Sequence, residues 1–332
     1  MRFKIDNAYL KDSMVLGAKL EGEGPISKYI DYIGEFKDSS FENSEIDMLT
    51  QSIDMLKERL DLKDSDIDLA IGGELSNQLT TTSYTLRKSL ISLIGIYSAC
   101  STISLGLGLA GLLLNRDDIN NILVFTSSHN QSAERQFRNP VEYGGEKENT
   151  QTFTSTIAAS ALITSERCNI KLSSFTLGKV IDIGFTDSFD FGRAMAPAAL
   201  ETLLEHFKES NTTPNDYDLV LTGDLSSYGY DVVNKELNNK FGHVNNYNDC
   251  GLLLYDIKNQ NVIAGGSGPG TSAGVLLSYV KKKLLNKEFK RVLLCATGVL
   301  MNPTMINQKN SLPCIAHAIE LECVEWYIYV LF

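Results

Sequence analysis

The residue best placed to do chemistry is Cys100, in the stretch YSACSTISLGLGLAGLLL at positions 97–114. An apolar strand-like run ends here and an apolar helix begins, so the cysteine falls at or just before a first helical turn. Unpaired backbone amides and the positive end of the helix dipole favour a thiolate at such a joint. A thiolate that attacks an acyl group needs a base or a positioning group, most often an imidazole. The chain has four histidines. His206, in ETLLEHFKES, falls near the end of an amphipathic helix, where solvation is expected. His243, in KFGHVNNYNDC, falls in a loop. His317 lies inside a strand-like run among small apolar residues, as a hydrogen-bonded core histidine would, and reaches the cysteine only from beneath. His129 ends the run NILVFTSS and is expected at the carboxyl edge of a sheet, where α/β folds bind ligands. It is the candidate imidazole of a pocket around Cys100.

Those side chains need elements to hold them, and the pattern supplies an alternation of strands and helices. Leu49 to Leu60 has helical spacing of Leu, Ile and Met. IDLAIGG (67–73), LIGIYS (93–98) and NILVFTSS (121–128) read as buried strands, and Phe153 to Thr164 as a further one. The alternation predicts a parallel-rich α/β sheet. A second round follows. DIDLAIGGELS (66–76) aligns without gaps on DYDLVLTGDLS (216–226), and NILVFTSS parallels RVLLCATG (291–298). TSTIAASALIT (154–164) parallels PCIAHAIELE (313–322), and the helix after Cys100 parallels GTSAGVLLSYVKKKLL (270–285). Four correspondences in one order mean a duplicated α/β unit. The expected halves are 1–168 and 169–322, followed by an apolar tail, 323–332.

Composition narrows the function classes. A net charge of -11 leaves no basic excess to neutralise phosphates, so no nucleic-acid partner is expected. The start, MRFKIDNAYLKDSM, lacks the apolar core of a signal peptide, and no apolar run reaches bilayer length. The six cysteines show neither CxxC nor Cys/His ligand spacing, which reads as reduced thiols rather than a disulfide framework or zinc site. No EF-hand pattern is present, so no dedicated metal site is expected, nor a cofactor. The glycine-rich AGGSGPGTSAG (264–274) lacks GxxxxGK[ST] and reads as a tight turn that lets a helix dock beside Cys100.

The segment HNQSAERQFRNPVEYGG (129–145) has two readings. One is a long solvated surface loop, or part of a subunit interface. The other is recognition of a planar anion, because Arg135, Arg138, Phe137, Tyr143, Glu134 and Glu142 crowd into a short span. Guanidinium forks fit carboxylates and aromatic faces stack on rings.

The block from Thr126 to Gly145, with EGEGP (21–25), YSACST (97–102), GKVIDIG (178–184), RAMAPAA (193–199), LTGDLSSYG (221–229), YNDCG (247–251), GGSG (265–268) and IAHAIE (315–320), resembles the stage V sporulation protein AD family of the thiolase fold over nearly the whole chain. The resemblance implies two sheets sandwiching helices in α-β-α-β-α layers. Acyl-transferring members of that fold pair the cysteine with a histidine and an Asn or second His. Here the matching positions carry Gly223–Asp224 and Gly270, so the resemblance implies a scaffold without its catalytic team and no enzyme activity. The family implies dipicolinic acid (pyridine-2,6-dicarboxylate) or its calcium chelate as ligand, handled during sporulation and germination. Cys100, His129, Arg135 and the helix amides are the expected anion-side contacts, with Glu142 or Asp224 toward calcium. Also implied are membrane proteins of the stage V sporulation A complex as partners, peripheral placement on the spore inner membrane, and a homodimer through an edge strand. The rival is a thiolase-fold acyltransferase using Cys100 with His129 or His317.

Overall fold

Among the residues that the computed structural model describes (1–36, 40–137 and 145–324), the apolar runs form fourteen strands. In the first half these are β1 (Arg2–Lys4), β2 (Tyr9–Gly17), β3 (Tyr32–Ile33), β4 (Leu69–Gly73), β5 (Leu93–Gly95), β6 (Asn121–Ser128), β7 (Phe153–Thr154) and β8 (Ile157–Thr164). In the second they are β9 (Ile170–Thr176), β10 (Leu219–Thr222), β11 (Tyr247–Asp249), β12 (Gly266–Ser267), β13 (Arg291–Val299) and β14 (Cys314–Cys323). The helices that matter to the site are α1 (Phe41–Arg59), α2 (Thr80–Leu86), α3 (Thr102–Leu113), α4 (Asn130–Phe137), α5 (Phe191–Ser210), α6 (Ser226–Phe241), α7 (Cys250–Leu254) and α8 (Pro269–Gly274).

Strand order shows the duplication. One half runs β5-β4-β6-β8-β2 and the other β11-β10-β13-β14-β9. The two join where Tyr9 and Leu10 of β2 pair with Lys171 and Ile170 of β9. In each half two ladders are parallel, β4 with β5 and β6, and β10 with β11 and β13. The other two are antiparallel, β8 with β6 and β2, and β14 with β13 and β9. The sheet is therefore mixed rather than parallel-rich. After β6 the chain stays at the same sheet edge through α4 and β7, so β8 must run back the other way.

The expected single strand over Phe153 to Thr164 is broken into β7 and β8. β7 leaves the main sheet to pair in parallel with β12, and the Thr156 amide donates to Glu21 Oε1 at 3.0 Å instead of joining a ladder.

Three apolar layers hold the stack together. Met48 and Leu49 of α1 cluster with Leu162 of β8, Ile71, Leu107 and Leu294 fill the space between the halves, and Leu203 and Phe207 of α5 cluster with Leu293 of β13. The central helix α3 touches strands of both halves, and its glycines permit it. A Cβ at Gly106 would lie 2.9 Å from Val124 on β6, and one at Gly108 only 2.3 Å from the Phe175 ring on β9. Among the described residues no helix is long and apolar enough to cross a membrane.

Candidate functional site

Cys100 sits in a 3-10 turn, Ala99–Ser101, between β5 and α3. Ala99 adopts φ of +46°, a left-handed conformation costly for a residue with a Cβ, and such strain persists only where neighbours impose it. The neighbours here are specific. A Cβ at Gly298 would fall 2.7 Å from Ser98 O and 3.1 Å from Ala99 Cβ, so glycine lets β13 press against the turn. Ser98 Oγ and Ser101 Oγ lie 2.7 Å apart, and Ser101 Oγ donates to Ser98 O.

His317 supports this turn from β14. Its Nδ1 accepts from the Gly178 amide at 3.1 Å, which leaves Nε2 as the protonated nitrogen, donating to Ser98 Oγ at 3.0 Å. Burial pushes its pKa down to about 4, so the ring is neutral. It is the hydrogen-bonded core histidine expected, one residue removed from the cysteine's own contacts.

The thiol shares its cleft with the carboxylate of Asp224, which follows β10. Asp224 is fully buried. Its Oδ1 accepts from Thr297 Oγ1 at 2.8 Å, and its Oδ2 from Ser267 Oγ at 3.0 Å and the Gly268 amide at 3.2 Å. Burial raises the Asp224 acid, and burial together with the neighbouring Asp224 charge raises the Cys100 thiol well above its ordinary range. The helix end therefore does not yield the thiolate expected from its dipole. Desolvation and a like charge outweigh a partial positive pole.

Above this floor stands an apolar cleft walled by Leu75, Tyr97, Phe137, Phe191, Met195, Val299 and Met301. No cationic side chain is among its described lining residues. The two positions that the family resemblance matches to a catalytic histidine and asparagine are crowded in this structure. A Cβ at Gly223 would lie 2.8 Å from both Ser272 Oγ and Thr297 N, and one at Gly270 would lie 2.6 Å from Ser128 Oγ and 2.8 Å from Ile157 O.

Of the expected contacts, Cys100 and Asp224 meet in this cleft. His129 does not line it. It faces a different cavity, where its ring stacks on Phe41 with centroids 6.1 Å apart. Burial lowers its pKa to about 4. Arg135 also lies elsewhere, ion-paired with Glu42 and 5.5 Å above the Phe41 ring. The reason is helical geometry: the segment expected as a loop forms α4, whose Ala133 and Phe137 face the cleft one turn apart, and position 135 falls on the opposite side. Glu142, Arg138 and Tyr143 lie outside the described residues, as does the tail from 325 onward. His206 is not solvated. It is fully buried, bonded to Thr176 Oγ1 and Tyr217 OH at 2.8 Å each, because the amino-terminal strand and Tyr217 cover that face of α5. His243 is exposed in its loop.

Sequence reasoning missed Phe191, Met195, Val299 and Met301. A signal existed for two of them: Val299 and Met301 stand at and after the end of β13, the duplicate of the β6 end where His129 was sought.

The family model described as stage V sporulation protein AD matches residues 2–322. A curated relative, stage V sporulation protein AD of Bacillus subtilis (strain 168), is 40% identical over 307 residues, 91% of this chain and 90% of the relative. Among solved structures, 3-oxoacyl-[acyl-carrier-protein] synthase III from Aquifex aeolicus VF5 matches with a TM-score of 0.58 and 12% identity, covering 95% of this chain and 99% of that one. A variant of OleA from Xanthomonas campestris matches with a TM-score of 0.63 and 12% identity, covering 96% and 99%. At such identities these two likenesses show the fold alone.

Proposed function

Because the chain belongs to the stage V sporulation protein AD family, a family of sporulation proteins, we propose that it binds dipicolinate as the calcium chelate in the Cys100 cleft and performs no chemistry on it. One observation carries this reading: Cys100 is held as a thiol against a buried carboxylate, in a slot with aromatic walls. Tyr97, Phe137 and Phe191 suit a flat ring. The charge balance selects the form of the ligand. The free dianion would enter an apolar cleft beside Asp224 with no cation among the described lining residues, which is costly. The chelate carries no net charge, and its calcium favours hard oxygen ligands such as those of Asp224.

An acyltransferase reading requires a thiolate and an imidazole within reach. The steric closure at Gly223 and Gly270 and the full engagement of both His317 nitrogens speak against it. The protein acts, in this reading, in dipicolinate uptake and release beside membrane-embedded sporulation proteins, held peripherally at the spore inner membrane. The exposed edge strand β5, with Leu93 and Ile94 beside the fully open Leu90, supports a homodimer.

Titration calorimetry tests the ligand. Calcium dipicolinate is expected to give saturable binding, free dipicolinate in a calcium chelator to bind more weakly, and Asp224→Asn to narrow that difference. No heat with either form refutes the proposal. Formation of a Cys100 acyl adduct with turnover of a thioester overturns its non-catalytic half.

A further inference from the structure

The Cys100 cleft is narrow as it stands. It leaves about 40 Å³ of free space, room for about three waters. A flat ring bearing carboxylates needs a wall to give way, and the walls are not equally fixed. Phe191 and Met195 stand on α5, whose start is clamped to the turn before α6: a Cβ at Gly192 would overlap Leu225 O. Val299 ends β13, in register with Cys314 of β14. Leu75 stands instead on an irregular strap, residues 75–79, between β4 and α2.

The strap is strained. Gln78 and Leu79 both adopt a left-handed backbone, with φ of +60° and +54°. Consecutive left-handed residues that carry a Cβ are costly and persist only where the surroundings impose them. Most of the strap's hydrogen bonds are local. Ser76 Oγ donates to Glu74 and accepts from the Thr81 amide at 3.1 Å, and the Thr80 hydroxyl donates to Asn77 O. The tie from a distant element is Gln136 of α4. Its Nε2 donates to Leu75 O at 2.9 Å, and its Oε1 accepts from the Asn77 amide at 3.2 Å. Among the described residues no other hydrogen bond from outside 74–82 holds the strap. Gln136 is also the neighbour of Phe137, so the helix that walls the cleft grips its strap.

We propose that this strap is the gate of the Cys100 cleft and Gln136 its latch. When the amide lets go, Gln78 and Leu79 leave the left-handed region and Leu75 withdraws from the wall. Relief of strain offsets the lost hydrogen bonds, so the two positions lie close in free energy, as a gate requires. The proposal rests on the reading of the Cys100 cleft as a binding site, but its test uses no ligand.

The test reads Cys100 itself. Methyl methanethiosulfonate is a small thiol reagent, and N-phenylmaleimide carries a ring. Mass spectrometry of the Cys100 peptide follows labelling of the full chain by each, with every rate divided by that for glutathione. The ratio of the ring reagent's rate to the small one's cancels the thiolate fraction, which both reactions share. In the wild-type chain this ratio is expected to be about one-tenth or less, because the open form is the minor one. Gln136→Ala is expected to raise it at least about threefold. Gln78→Gly, which suits a left-handed backbone, is expected to leave it at or below the wild-type value. A higher wild-type ratio, a smaller rise in Gln136→Ala, or any rise in Gln78→Gly each overturns the proposal. The wild-type ratio stands even where a variant fails to fold. Failure of calcium dipicolinate to bind would leave these ratios untouched, so the two readings fail separately.

Discussion

Replacing Gly223 by alanine tests whether the cleft floor is closed to a catalytic side chain. The new Cβ would lie 2.8 Å from Ser272 Oγ, 2.8 Å from Thr297 N and 3.0 Å from Thr297 Oγ1. The serine hydroxyl can swing aside, but Thr297 is anchored in β13 and its hydroxyl holds Asp224 Oδ1. Overpacking of this kind costs about 1–3 kcal/mol. Displacing the threonine hydroxyl weakens a buried hydrogen bond, adding about 1 kcal/mol. Gly223 is not in the left-handed region, so alanine loses nothing in φ and gains about 0.4–1 kcal/mol from a stiffer unfolded chain. The net expectation is a loss of about 2 kcal/mol, read as a lower urea midpoint with unchanged slope. Calcium dipicolinate affinity falls with it, since Asp224 loses its alignment. A stability change under about 0.5 kcal/mol with intact ligand binding would show that the position has room for a side chain, and the steric argument against an imidazole there would fail.

Two further outcomes follow from buried acids. Glu45 accepts from Ser127 Oγ and Ser132 Oγ, and burial, with Glu74 nearby, pushes its pKa from 4.5 up to about 8. A raised carboxyl binds its proton more tightly when folded, so its contribution to stability is lost as pH rises from 4.5 toward 8. The shift bounds that loss at about 5 kcal/mol. Glu45→Gln is expected to flatten the stability profile over that window, and urea midpoints that fall in parallel for both proteins would contradict it. Burial and then the Asp224 charge hold the Cys100 thiol up, and Asp224→Asn removes the second, so alkylation by iodoacetamide at pH 8 is expected to speed up by about tenfold or more. An unchanged rate assigns the slow thiol to burial alone.

The duplicated sheets were legible because strand patterns survive duplication better than loops do. The alignment of DIDLAIGGELS on DYDLVLTGDLS also pairs Glu74 with Asp224, and both prove to be buried acids just past the ends of β4 and β10. Cys100 could be placed at its strand-to-helix joint for a local reason: an apolar strand and a glycine-spaced helix flank it within a few residues. His129 could not be assigned to a cavity that way. Whether a residue just past a strand turns to one side or the other depends on what packs there, and here Phe41 of α1 draws it away. His206 reads as a surface residue on its own helix, yet residues from the chain start, Arg2 near Glu320 among them, close over it.

The sequence by itself determined the duplicated α/β architecture and the cysteine at its helix joint, because these depend on residue type and near neighbours. The tertiary structure alone decided that the thiol is held protonated against Asp224, and that His129 and Arg135 belong elsewhere. Those outcomes depend on burial and on the facing of α4, which arise only when distant segments pack together.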